Sequence, residues 1–334
     1  MKGRAPIRML NEWRGLYQQA AVFVESTPWN VLSDDQLFAV EDPGTGEVAY
    51  CAIMGAGGIE YGLAAYRGTA GLKAYAVVAN DAADEDEHLL IQDCLTFSLG
   101  NRDEVFPEDR AVHKALGLRF RGRGAWPIFR SFRPGYLPAM PTAQEAAFLR
   151  TCLEQSDSLV EELVSGHRLP ALDPASQFPA RRRTKAGTWA TTSLPYPPAP
   201  QPPCLEVDDL SIRKVQKELP RASQTWQAAV QAVAPIAEKD SRAFWAWIIL
   251  CVDQDTGLVL IAEPAGPEQS VQAHFMRILQ QGSLLPKEVR VSSGLLEAQL
   301  APLLGALGIR LRRVDRLREL ERVSRSFKAA VGRR

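Results

Sequence analysis

Pro28–Leu72 reads PWNVLSDDQLFAVEDPGTGEVAYCAIMGAGGIEYGLAAYRGTAGL, and this stretch decides the fold of the first half. Gln36–Glu41 and Glu47–Gly55 carry aliphatic and aromatic residues at strand spacing. The loop between them, DPGTG, supplies a proline with fixed φ and two glycines suited to positive φ, so the pair reads as an antiparallel hairpin. Gly55–Gly58 then turns the chain into a third strand, Ile59–Tyr66. Thr69 caps a helix expected to run to Ala79. A sheet nucleus with helices around it is the reading that follows.

Outward from this nucleus, Pro6–Glu25 reads as a helix, since Met9, Trp13, Leu16, Tyr17, Ala20 and Val24 recur at helical spacing. Downstream, Ala82–His88 reads as a solvated acidic loop, Asp93–Leu99 as a strand, Pro107–Leu116 as a helix and Ile128–Phe132 as a strand. Thr142 and Glu145 form a capping box for a helix to Val164, and Thr188–Ser193 can add an edge strand. Residues 168–203 are rich in proline and read as a semi-rigid linker. The expected division is therefore an N-terminal α+β domain over 1–167 with an antiparallel sheet, the linker, and a C-terminal α/β domain over 204–334 with a mixed sheet. In that second domain, Ser211–Leu219 and Thr225–Ala237 read as helices. The apolar run Trp245–Val252 opens strands that then alternate with helices to the terminal helix Leu317–Val331.

Composition excludes several classes. A hydrophobic share of 46% and a charged share of 23% are those of a globular protein. Lys+Arg and Asp+Glu are equal at 39 each, so any pull toward nucleic acid must come from a local patch. No apolar run has the length of a membrane span, and the N-terminus lacks the pattern of a signal peptide. Five cysteines without a CxxC pair suit reduced thiols in a cytoplasm. His88, His113, His167 and His274 are scattered and read as solvated or capping residues rather than metal ligands. No cofactor and no membrane partner are implied.

Pro28, Trp29, Asp34, Asp35, Leu37, Phe38, Asp42, Pro43, Thr45, Gly46, Tyr50, Cys51, Met54, Gly55, Gly62, Leu63, Tyr66, Gly68, Gly71 and Leu72, with FRSFRPGYLP and TAQEAAFL downstream, resemble an uncharacterised bacterial two-domain family. That resemblance implies a family but no activity. A second resemblance lies in VDQDTGLVLIAEPAGPEQSVQAHFMRILQQGSLLPKEVRVSSG, which is similar to the middle of an integrase-type ribonuclease H-like domain. Such a fold implies a strand, an S/T-G turn, a strand, a helix and a further strand. It also implies paired carboxylates holding two Mg²⁺ ions. Asp208 or Asp209 would be the first carboxylate, beside a strand at Leu205–Val207. The second position holds Ser292, Ser293 and Gly294, and a hydroxyl does not replace a carboxylate as a Mg²⁺ anchor. The fold, if present, would be catalytically decayed.

The candidate binding residues are Asp34, Asp35 and Asp42, with Arg130, Arg133 and Tyr136 as the groups that would face them. Arg119–Trp126 and Arg130–Tyr136 interleave arginine with aromatics in the manner of a single-strand stacking surface. Basic patches for nucleic acid are Arg181, Arg182, Arg183 and Lys185, and the tail carrying Arg310, Arg312 and Arg313. From Arg310 to Arg334 there are ten Lys/Arg against three Asp/Glu. No motif supplies a complete catalytic set. The expected function is a cytoplasmic binding or scaffold protein with an unknown protein partner. The alternatives are a nucleic-acid-binding protein with a decayed nuclease-like domain and a thiol enzyme using Cys51.

Overall fold

The computed structural model describes residues 7–80, 85–166, 177–198, 203–237 and 241–331. The chain divides into two compact units. The first holds residues 1–75, 92–133 and 138–198, and the second holds 76–91, 134–137 and 199–334.

The first unit is built on a seven-stranded sheet: β1 (Phe38–Glu41), β2 (Val48–Met54), β3 (Gly62–Arg67), β4 (Cys94–Gly100), β5 (Trp126–Phe132), β6 (Gln177–Arg183) and β7 (Trp189–Pro195), in the order β5-β4-β3-β2-β1-β6-β7. In the β1–β2 hairpin the Asp42 carboxylate accepts from Gly44 N–H and Thr45 Oγ1, both at 2.9 Å. Gly46 closes the turn at φ +73, the left-handed region that favours glycine. Strand alternation splits β2 between two faces. Ala49, Cys51 and Ile53 join the main core, while Tyr50 and Ala52 face a smaller cluster with Leu37, Leu72 and Phe178. Helices α1 (Ile7–Ser26) and α5 (Ala143–Val164) supply Trp13, Leu16, Phe23, Leu149 and Leu153 to the main core. Helix α2 (Gly68–Ala79) supplies Leu72 to the other side.

One pairing departs from the expected antiparallel sheet. β6 runs parallel to β1, so the sheet is mixed. β6 also lies in the segment read as linker. Its Phe178 and Ala180 are buried among Tyr50 and Ala52, and that apolar contact outweighs the proline content on which the linker reading rested. Residues 168–176 and 199–202 of that segment, and 82–84 of the acidic run, lie outside the described residues, as does His167. The rest of the acidic run is not a solvated loop. Glu85–Ile91 forms α3, and its Leu90 packs into the core of the second unit.

That unit contains a five-stranded mixed sheet: β8 (Thr225–Ile236), β9 (Phe244–Asp253), β10 (Val259–Ile261), β11 (Glu288–Val291) and β12 (Arg310–Arg313), in the order β10-β9-β8-β11-β12. β8, β9 and β10 are antiparallel neighbours, and β11 and β12 run parallel to β8. Helix α4 (Pro107–Leu116) belongs to the first unit, and α6 (Asp209–Glu218) precedes this sheet in the second. Helices α7 (Val271–Gly282) and α8 (Gly294–Leu307) connect β10 to β11 and β11 to β12. They bury Phe275, Ile278, Leu300 and Leu304 on one face. The last helix, α9 (Arg318–Val331), covers the other face, where its Leu320 and the preceding Leu317 pack against Ile248 and Leu250.

The expected order of strand, Thr256-Gly257 turn, strand, helix and strand is present as β9, β10, α7 and β11. Two readings need correction. Thr225–Ala237 is not a helix but the central strand β8. No strand forms at Leu205–Val207, and it is β8 that pairs with β9. Asp209 is the first residue of α6, and Asp208 caps that helix by accepting from Ser211 N–H at 2.9 Å. β8 itself carries no carboxylate.

A basic cleft as the candidate functional site

The candidate site lies in the first unit, around α4. Pro107 starts this helix with a missing N–H that costs nothing at a first turn. The Asp109 carboxylate accepts from Phe106 N–H at 2.8 Å. Gly117 ends the helix at φ +72, and Leu118 N–H returns to His113 C=O at 2.9 Å. The chain from Leu118 then leads into β5. Beneath the helix, Arg130 of β5 holds Asp109 through two parallel hydrogen bonds of 2.9 and 2.8 Å. Both side chains are buried, at 7% and 0% exposure. This fork-on-carboxylate pair locks α4 to the sheet. Arg130 also sits over the Phe106 ring at 4.0 Å.

The result is a cleft of about 410 Å³. Arg102, from the turn after β4, lines it with Arg110 and Lys114 of α4 and Arg119 and Arg121 of the following loop. Leu118, His113, Phe120 and Trp126 complete the wall, and no carboxylate is among the lining residues. None of the five cations is ion-paired among the described residues; Arg110 donates only to the Arg102 carbonyl, at 3.3 Å. Lys114 is accounted for by the negative end of the α4 dipole. The other four come from the turn after β4, from α4 and from the loop that follows it, and like charges gathered this way raise the potential of a concave surface for an anion.

Behind the cations stands an aromatic cluster. His113 packs against Tyr17 at 5.4 Å and Phe120 at 4.9 Å between ring centroids, and Phe120 lies near-parallel to Tyr17 at 6.0 Å. Burial lowers the His113 pKa, against the opposing pull of Asp109, and so favours the neutral ring. This corrects the solvated reading of His113. His274 is likewise buried, on α7 against Trp247, and burial with the nearby Arg277 charge lowers its pKa to about 4.

The other expected site residues are distributed elsewhere. Asp42 is the hairpin turn described above. The Asp35 carboxylate accepts from Ser33 Oγ, and the Asp34 carbonyl accepts from Tyr75 at 3.0 Å. Neither Arg130 nor Arg133 pairs with these aspartates, because Arg133 binds Glu145 at 3.0 Å. Tyr136 belongs to the second unit and donates to Glu268 at 2.8 Å. Arg181 is buried on β6 and bonds Gln155, Glu162, Ser158 and Thr191. Arg182 pairs with Glu41 at 2.6 Å, and Arg183 donates to the Gly187 carbonyl at 2.9 Å, while Lys185 is exposed in the turn before β7. On β12, Arg310 pairs with Glu288 at 3.5 Å and Arg313 with Glu297 at 3.8 Å, and Arg312 is exposed. The thiol reading fails on access: Cys51 is fully buried against Cys152, whose own pKa burial raises well above the ordinary value.

A second cavity, of about 200 Å³, lies within the second unit between α3, α7 and α8. Much of its polar lining is engaged within the fold. Gln272 bonds Cys204 C=O and Glu206 N–H, Trp247 bonds Gly266 C=O, and Glu206 accepts from Ser270. The described residues contain no group of His, Cys, Asp or Glu suited to a metal ion, and no helix among them is long and apolar enough to cross a membrane.

Fold and site together define an α+β protein with two mixed sheets and a basic cleft on the first. Residues 13–178 match the family described as Domain of unknown function (DUF7309), and residues 211–328 match Domain of unknown function (DUF6930). The two matches indicate a two-domain protein. Among solved structures, the magnesium-bound catalytic core domain of HTLV-2 integrase in its trimeric form is similar at 17% identity, over 32% of this chain and 66% of that one, with a TM-score of 0.22. A score that low assigns no fold. No curated protein matches the chain.

Proposed function

We propose that the protein is a cytoplasmic binding protein whose first unit takes a phosphate-bearing anion in the cleft around α4. The observation that carries this is the convergence of five cations from three segments on one concave surface with no carboxylate in its lining. By contrast, Arg181, Arg182, Arg310 and Arg313 on β6 and β12 each pair with a carboxylate. A cytoplasmic setting accords with five free thiols, four of them buried.

Retention on heparin-agarose tests the reading, because a polyanion held by several cations releases them steeply with salt. The full chain is expected to bind at low salt, and an Arg119→Gln/Arg121→Gln variant is expected to elute at clearly lower salt. An Arg182→Gln/Arg183→Gln variant on β6 is expected to elute with the wild type. No retention, or a cleft variant that elutes unchanged, overturns the proposal.

A further inference from the structure

The geometry points to single-stranded nucleic acid as the anion that the cleft takes, an inference that rests on the anion-binding role proposed above. Charge alone would suit any phosphate or sulfate. The cleft has a second property that such anions do not use: two large rings, Phe120 and Trp126, line the same concave surface as Arg102, Arg110, Arg119 and Arg121. Both are half-buried: Phe120 packs one side on the main core, and each ring keeps part of its surface open.

Both rings are also held in place. Phe120 lies against Tyr17 and meets His113 edge-on. Trp126 donates its indole N–H to the Gly122 carbonyl at 3.2 Å and leans on Phe120 at 5.9 Å. Rings already fixed lose little entropy when a flat partner stacks on them. Cations that follow a phosphate backbone, interleaved with rings that accept bases, are the combination used for single strands without sequence preference. A duplex cannot use it, since its bases stack on one another and offer only their edges. An acidic protein segment would engage the cations and leave the rings without a partner of matching shape.

The test is fluorescence anisotropy on the full chain with labelled twelve-nucleotide (dT) and (U) oligomers, a twelve-base-pair duplex and an abasic oligomer with the same number of phosphates. Polyglutamate serves as competitor. Either single strand is expected to bind more tightly than the duplex and the abasic oligomer, and polyglutamate is expected to compete poorly. Trp126→Leu keeps an apolar side chain but removes the indole. It is expected to weaken single-strand binding by roughly 5- to 150-fold and leave abasic binding unchanged, and Phe120→Leu is expected to act in the same direction. Arg121→Gln is expected to weaken all polyanions alike and to reduce the salt slope by about 0.7. Circular dichroism confirms that each variant is folded.

Equal affinity for the abasic oligomer, or full affinity in both folded ring variants, overturns the nucleic-acid assignment while an effect of Arg121→Gln keeps the anion cleft. Polyglutamate that competes as well as the single strand does the same. Absence of binding to every polyanion overturns both.

Discussion

Glu145 shows how single side chains absorb the charges that a linear reading would assign to a ligand. It caps α5 by accepting from Thr142 N–H at 2.8 Å, and it also receives Arg67 at 2.7 Å, Arg133 at 3.0 Å and Ser131 Oγ at 3.0 Å. Burial alone would raise its pKa. The hydrogen bonds and the Arg67 charge outweigh burial and hold the carboxyl at about 2. Arg133 is thereby committed to the fold, just as Arg130 is by Asp109. The direction of the pH effect follows from the depressed folded value. The unfolded chain takes up a proton near its ordinary value of 4.5, and the folded chain resists until about 2. The contribution to stability, on the order of 3 kcal/mol, is complete above pH 4.5 and lost as pH falls toward 2. Glu145→Gln is expected to be less stable than wild type at pH 7 by that order, and the two are expected to converge as pH approaches 2. Urea unfolding at pH 7, 4.5, 3 and 2 measures this, and a difference constant across that range would show that Glu145 acts only as a neutral cap.

At the scale of elements, β8 shows where pattern and propensity part. In TWQAAVQAVAPI, Trp226, Val230 and Val233 fall at helical spacing, and the segment is rich in alanine, the best helix former. The same residues also alternate. Trp226, Ala228 and Val230 enter the core beneath α7 and α8, while Ala229 and Val233 pack on the α9 side. Both periods fit, and the sheet decides, because only a strand pairs with β9 and β11 at once. α3 was hidden by its charge, and β6 by the prolines and arginines around two buried apolar residues. The hairpin β1–β2, α1, α5, β11 and α8 were legible because turn chemistry, caps and period agreed in each. The cleft was half legible. The run from Arg119 to Trp126 announces interleaved arginines and aromatics, but Arg102, Arg110 and Lys114 reach it only through the β4–α4–β5 connection. The signal nearest to hand was the spacing of Arg110 and Lys114 at i and i+4, which puts them on one helix face. The α9 side of β8 also carries buried Gln227, whose carbonyl accepts from Leu320 N–H at 3.1 Å and satisfies a donor that the first turn of α9 leaves open. Gln227→Leu fills the same space without an acceptor. It is expected to cost about 1–3 kcal/mol in urea unfolding and to speed hydrogen exchange at Leu320. Unchanged exchange there would mean that apolar packing alone seats α9.

For the whole molecule, the consequential feature is that the second unit is not continuous in sequence. Residues 76–91 and 134–137 belong to it although they lie inside the first half of the chain. Within the unit, Trp245 N–H bonds Gly135 C=O at 2.8 Å, Leu137 N–H bonds Ala243 C=O at 2.9 Å, and Arg242 donates to Leu137 C=O at 3.1 Å. Leu90 of α3 packs on the core there. Cutting the chain at the proline-rich segment, where composition alone suggests a boundary, removes all of these contacts from the C-terminal part. Three hydrogen bonds at about 1 kcal/mol each and one half-buried leucine at about 1 kcal/mol total roughly 4 kcal/mol. That loss approaches the lower end of the stability of whole domains, about 5–15 kcal/mol. A chain limited to residues 203–334 is therefore expected to bind the dye ANS and to lose a sharp thermal transition. The full chain is expected to exclude the dye and melt cooperatively. Circular dichroism melts with ANS fluorescence on both chains measure the difference. A cooperative, dye-excluding fragment that melts as high as the full chain would show that α3 and the Pro134–Leu137 segment are accessories to a domain complete without them.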